Sequence, residues 1–446
     1  MGMIQTQDPS GQGSLLRVER AVTPAVVPPF HAAAPLPAAV TQRAWRLEAL
    51  LGDPRDRANP YGHYALAHQG GRRQLSALAD VIESEIRPAG TGGHFAGGDV
   101  MAAALRPLLR RDLEEGHAAV VAALSATDGP LPDRTVELTR LLGPAALSAA
   151  AGTALRAAVR AVAEGERRTP GLSRWRASLA RSFADLLVCE SLTAVALRSL
   201  SRSPGTGRSL RAAAGCVVPA LAAEILDEAV LTLGECGHGP DSAALRWCVR
   251  TAAGVPRVRE ASGTADCRAQ LIRALPSSAG PGGGRAAAHL TAVRGGAAAG
   301  DEAPPVDWET ELHGALDAAV ARGGPGAAGR DAGQARAAQR LLAERRLLTG
   351  PDRNVPGAGA AAAERYAQLL TACVVLAVGR DAAGHGGSRF LGSGGWVPVA
   401  LARAVQRLGL PPVGPFDAAQ AGVEAELDRR DRLGADSDLH ATRILW

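Results

Sequence analysis

The stretch Val218-Pro219-Ala220-Leu221-Ala222-Ala223-Glu224-Ile225-Leu226-Asp227-Glu228-Ala229-Val230-Leu231-Thr232-Leu233 decides the fold class. Val218, Leu221, Ala222, Ile225, Ala229 and Leu233 recur at three- and four-residue intervals, the period of a helix that turns one face to a core. The same spacing returns in Leu75, Leu78, Ala79, Ile82 and Ile86, and Pro88 stops that run. Alanine, leucine and arginine dominate, and aromatic residues are only 3% of the chain. Those three residue types lose least on entering a helix. The expectation is an all-α protein.

Working outward, helices are expected over Ala38–Leu51, Arg72–Arg87 and Asp99 to about Ala123, an N-terminal helical domain of residues 37–126. The polar turn Thr127-Asp128-Gly129-Pro130 opens a second domain, 127–276, with helices near Thr135–Arg168, Arg174–Ser201, Leu210–Leu233, Ala243–Ala253 and Ala265–Leu275. Residues 277–305, centred on Gly280-Pro281-Gly282-Gly283-Gly284, read as a linker. A third domain, 306–446, follows, with helices near Trp308–Ala321, Ala335–Leu348, Ala360–Val378, Val399–Leu408 and Ala418–Arg432. Residues 1–36 are rich in Gly, Pro and Ala without a helical period, and read as a mobile leader.

All 49 basic side chains are arginine, because the chain contains no lysine. A Walker-type phosphate loop, a pyridoxal Schiff base and a lysine nucleophile are thereby excluded. The pI near 9.2 invites a nucleic-acid reading. However, arginines alternate with acids, as in Arg110-Arg111-Asp112-Leu113-Glu114-Glu115, and this reads as a solvated helix face, so no nucleic-acid partner is expected. Six scattered cysteines without a CxxC pair fit buried, reduced thiols and no metal site. His63 and His68 read as polar surface. The apolar runs Leu141–Leu155 and Tyr366–Gly379 are shorter than a bilayer span, and no secretory pattern opens the chain, so a cytoplasmic protein without a membrane partner is expected.

Phe183-Ala184-Asp185-Leu186-Leu187-Val188-Cys189-Glu190, Glu228-Ala229-Val230 and Cys236-Gly237-His238-Gly239 follow one another at intervals that resemble the C-terminal helical domain of acyl-CoA dehydrogenases and oxidases, in the divergent form found with polyketide and peptide pathways. Asp53 to Gly62, Gly93-His94-Phe95 and Arg106-Pro107-Leu108-Leu109-Arg110-Arg111-Asp112-Leu113 look like the opening helices of those members, and Glu364-Arg365-Tyr366 like their C-terminal extension. The resemblance implies N-terminal helices and a C-terminal four-helix bundle joined without the family's central β-barrel, which has no room between Gly116-His117 and Arg134.

By family position, Arg167 or Arg168 and Gly237, His238 and Gly239 correspond to flavin-dinucleotide contacts. The glutamine amide, one glycine and the tyrosine of that motif are missing. Ser262, in Ala261-Ser262-Gly263-Thr264, stands where the family's catalytic glutamate belongs, and a serine hydroxyl without a partner is too weak a base for proton abstraction. Glu260 and Asp133 are the alternative bases that the resemblance suggests. It implies an accessory or degenerate subunit that pairs with a full-length homologue and helps shape an acyl-thioester site for coenzyme A or an acyl carrier protein, as a homo- or hetero-oligomer. No cofactor is then expected. Two other functions stay open: an acyl-thioester dehydrogenase with FAD supplied across a subunit interface, and a flavin-free cleft turned to lyase, cyclase or thioester chemistry.

Overall fold

A computed structural model describes residues 36, 38–68, 75, 78–86, 97–126, 133–167, 171–202, 206–275, 307–323, 329–349, 359–384, 388–414 and 416–446. The expected leader, apart from Leu36, and the expected linker lie outside the described residues, as do Thr127–Pro132 of the first junction. In chain order the helices are α1 Ala38–Leu51, α2 His63–His68, α3 Ala79–Ile86, α4 Gly98–Leu109, α5 Leu113–Ala126, α6 Asp133–Gly165, α7 Arg174–Arg202 and α8 Arg208–Glu235. They continue with α9 Ala243–Ala261, α10 Thr264–Ala274, α11 Trp308–Ala321, α12 Gly329–Thr349, α13 Gly359–Gly384, α14 Arg389–Gly392, α15 Trp396–Arg407 and α16 Asp417–Arg432. Among the described residues there is no strand, only an isolated antiparallel bridge between Ala435 and Arg443. The protein is all-α.

Helix α8, which carries the quoted stretch, is surrounded by α6, α7, α9, α10 and α13. Val218, Leu221, Ala222, Ile225, Ala229 and Leu233 are all buried, as their spacing requires. Ala146, Ala150, Ala154 and Ala158 of α6 and Ala212, Ala213 and Ala214 of α8 are buried as well. Such small side chains let helix axes approach closely. One point on α6 goes further. A β-carbon at Gly143 would stand 1.7 Å from the Ser262 hydroxyl, so only glycine lets the end of α9 seat there.

Two expected boundaries move. The single helix expected from Asp99 to Ala123 is two, because Asp112 accepts the Glu115 backbone N–H at 3.0 Å and starts α5 afresh. The helix expected to end at Ala253 runs to Ala261 through Pro256. The backbone hydrogen bond that proline removes is offset by burial of Val255 and Val258. One continuous apolar cluster spans Leu47 to Leu439.

The segment after α16 turns back over the first helices. The Trp45 indole donates to the Arg443 carbonyl at 2.9 Å, and the buried Asp436 carboxylate accepts from Arg106 and Arg110 of α4, both at 2.9 Å. Arg110 also pairs with Glu48 of α1, and Arg106 with Glu190 of α7 at 2.7 Å. The chain's last residues are thus tied to its first described helices. Two helices, over Thr135–Gly165 and Gly359–Ala383, are long and apolar enough to cross a bilayer, but 83% and 78% of their apolar windows are buried inside the bundle, as in core helices.

Candidate functional site

The residues singled out by the resemblance do not converge. Ser262 is fully buried, and its hydroxyl donates to the Val258 carbonyl at 2.6 Å while packing on Gly143. It closes the end of α9. Glu260 is exposed in the last turn of the same helix. Asp133 begins α6, and its side chain lies outside what is described. Arg167 is exposed beyond the far end of α6, next to Gly165, while Arg168 lies outside the described residues. Gly165 lies close to the Cys236 thiol, which places the Gly237-His238-Gly239 loop at that same end. Gly143 and Gly165 are about 33 Å apart along the helix at 1.5 Å per residue. A single small site cannot hold Ser262 and the Gly237 loop together.

Arg167, Gly237, His238 and Gly239 line none of four cavities found among the described residues. Glu235 beside them pairs with Arg174 at 2.7 Å. Gly237 has φ +83°, and the His238 imidazole meets the Ser242 hydroxyl at 2.9 Å through Nδ1. Ser242 in turn accepts from the Leu245 N–H and caps α9. The loop thus sets the start of α9, which walls a different site. Among the described residues no group of three or more His, Cys, Asp or Glu is placed to hold a metal ion.

That site is a cavity of about 160 Å³ between the turn-rich segment 53–62, α2, the α4–α5 junction and the start of α9. Asn59 braces the 53–62 segment, donating its amide to the Leu51 and Asp53 carbonyls, both at 2.7 Å. Arg55, Arg57, Arg111, Arg246 and Arg250 face it against two carboxylates, Asp112 and Asp241. Arg246 and Arg250 fall on one face of α9 at a four-residue spacing, with Trp247 between them. Arg250 is engaged with Asp112 at 3.0 Å and the Leu66 carbonyl at 2.8 Å, and Arg57 lies over the Tyr64 ring.

Arg111 differs from all of these. It is 5% exposed, among the described residues its side chain makes one hydrogen bond, from Nη2 to the Gly52 carbonyl at 2.6 Å, and of the five arginines it alone keeps a buried nitrogen without a partner there. Its Nη1 is buried without a partner. Burial, reinforced by Arg110, pushes this guanidinium down to about 10. An uncompensated cation in a low-dielectric wall is costly, and an anion in the cavity removes the cost. Beside it, the His63 ring packs on Trp247 with centroids 5.4 Å apart, its Nδ1 is also without a partner, and burial pushes it down to about 3. That imidazole is neutral at pH 7.

Two sequence readings are corrected here. Arg111 and Asp112 are buried, because the turn between α4 and α5 folds inward under α9, and do not lie on a solvated helix face. His63 is packed in a cavity wall and is not polar surface. No protein-family model, curated protein or solved structure matches the chain, so the acyl-CoA dehydrogenase resemblance rests on the quoted segments alone.

Proposed function

We propose that the protein binds a small organic anion, a phosphate monoester or carboxylate joined to an apolar ring or short chain, in the arginine-lined cavity. The observation that carries this reading is the buried, unpaired Arg111 with its free Nη1. Trp247, Leu66 and Tyr64 supply the apolar side. At roughly 15 Å³ per non-hydrogen atom, the cavity takes about ten atoms, the size of phenyl phosphate. Calorimetric titration with phenyl phosphate tests it. Saturable binding is expected, weakened tenfold or more by Arg111→Met, as follows from losing a hydrogen bond to a charged group. Binding that survives this substitution unchanged contradicts the proposal.

The acyl-thioester role is supported in one form. The ribose phosphate monoester of coenzyme A belongs to the same ligand class, and only that end would enter, since pockets for larger ligands run from about 300 Å³ upward. In this form the protein is a binding subunit. Trp45, Leu50, Leu445 and Trp446, exposed apolar residues of α1 and the final segment, are where a partner subunit would be sought by co-purification.

A further inference from the structure

A second cavity, of about 60 Å³, lies where Asp438, Leu439 and His440 of the final segment cover α4 and α7. It shares no residue with the arginine-lined site. Four buried polar atoms on its walls have no hydrogen-bond partner among the described residues: Arg106 Nη2, Arg198 Nη1, Thr193 Oγ1 and His440 Nδ1. Folded proteins leave few such atoms unpaired, and four around one space mark a place where a polar guest is received. Glu190 offers a further acceptor, since Arg106 occupies only its Oε1, at 2.7 Å.

The charges select the guest. Free guanidinium N–H groups repel a cation. Asp99, Glu190 and Asp438 outnumber Arg106 and Arg198 on the walls and repel a dianion. At roughly 15 Å³ per non-hydrogen atom, about four atoms fit. We propose that this cavity binds one small oxyacid, a carboxylic acid or hydrogencarbonate, with its oxygens on Arg106 and Arg198 and one proton held between it and Glu190. The step forms and breaks no bond other than those to that proton, which comes from solvent when the guest is a carboxylate and is the guest's own when it is hydrogencarbonate.

The electrostatics of Glu190 agree with the geometry. Burial lifts it to about 7, opposed by Arg106 of α4 and reinforced by Asp438 and Asp436 of the final segment. The other charged groups at the cavity are the Arg198–Asp99 pair, closed at 2.5 Å, and His440, which burial pushes down. Above pH 7 Glu190 is ionised in the free protein, so an incoming oxyanion must bring a proton. Below pH 7 the proton is already in place.

The test is calorimetric titration with sodium acetate, formate and bicarbonate, against sodium chloride at equal ionic strength, in two buffers of different ionisation enthalpy. In the Arg111→Met background one saturable site is expected, with acetate or formate taking up about one proton at about pH 8 and far less at about pH 6, and bicarbonate taking up none. Which of the three acids binds identifies the oxyacid. Thr193→Val should weaken binding about tenfold by removing one donor without changing shape. Ala103→Leu should abolish it by filling the space, with circular dichroism confirming that the variant folds. Arg111→Met should leave it unchanged, which separates this site from the first. The proposal is overturned if no acid gives saturable heat, as for a cavity that holds only water. It is equally overturned by acetate or formate binding without proton uptake at the higher pH, or by binding indifferent to both Thr193→Val and Ala103→Leu.

Discussion

Replacing Arg111 by methionine should weaken phenyl phosphate binding tenfold or more without weakening the fold. The drop of this guanidinium from the ordinary 12.5 to about 10 corresponds, at about 1.4 kcal/mol per pKa unit, to roughly 3 kcal/mol by which the charged form is disfavoured in the folded protein. Arg111 is 5% exposed, so solvent screening takes little from that figure. Methionine has a similar reach, carries no charge and removes the penalty. Against this stands the Gly52 carbonyl, which loses the donor now at 2.6 Å; an unsatisfied buried acceptor costs about 1–3 kcal/mol. The two effects leave Arg111→Met between neutral and about 2 kcal/mol more stable than the parent. Urea denaturation measures this through the midpoint at constant slope, with and without phenyl phosphate. The parent should gain stability from the ligand and the variant should not. A loss of more than about 2 kcal/mol without ligand would mean that Arg111 is a structural tie, and the reasoning fails.

Four further outcomes follow from the same packing. Gly143→Ala should destabilise by about 1–3 kcal/mol or prevent folding, since its β-carbon would meet the Ser262 hydroxyl, whereas Ser262→Ala should cost little and leave ligand binding unaltered; chemical denaturation of both variants compares them. Asp436→Asn should cost about 3–5 kcal/mol in the same assay, because it leaves Arg106 and Arg110 short of their shared carboxylate. His117 is buried, its Nε2 has no partner, and burial pushes it down to about 4. The unfolded chain therefore binds the proton first, and stability should fall as pH drops from about 6.5 toward 4. His117→Leu should flatten that slope in melting curves taken across the range. His238→Ala should cost about 0.5–1 kcal/mol by loosening Ser242, with a modest fall in phenyl phosphate affinity because α9 carries Trp247.

Much of the fold was legible because helix periodicity is a local property. The limits expected for α1 and α11 coincide with those observed, and every apolar residue used to identify α8 is buried. The break at Arg110–Asp112 was missed although its signal was present, since Asp112 followed three residues later by Glu115 is a helix-start pattern. Leu36 aside, the pairing of the final segment with α1 and α4 had no local sign. It depends on Asp436 reaching Arg106 across 330 residues of chain.

The sites were less legible for a different reason. In a chain with 49 arginines and no lysine, no single arginine stands out, and Arg111 is marked only by the buried Nη1 that the fold leaves without a partner among the described residues. Family position pointed instead to Ser262, Glu260 and the Gly237 loop. In the structure these serve packing, solvent exposure and the start of α9.

The most direct measurement of the central claim is a crystal structure with phenyl phosphate bound. Phosphate oxygens are expected about 2.7–2.9 Å from Arg111 Nη1, with Arg246 closing on the anion from α9 and the phenyl ring against Trp247. A ligand bound elsewhere, or one seated in this cavity with Arg111 Nη1 still untouched, would contradict the account.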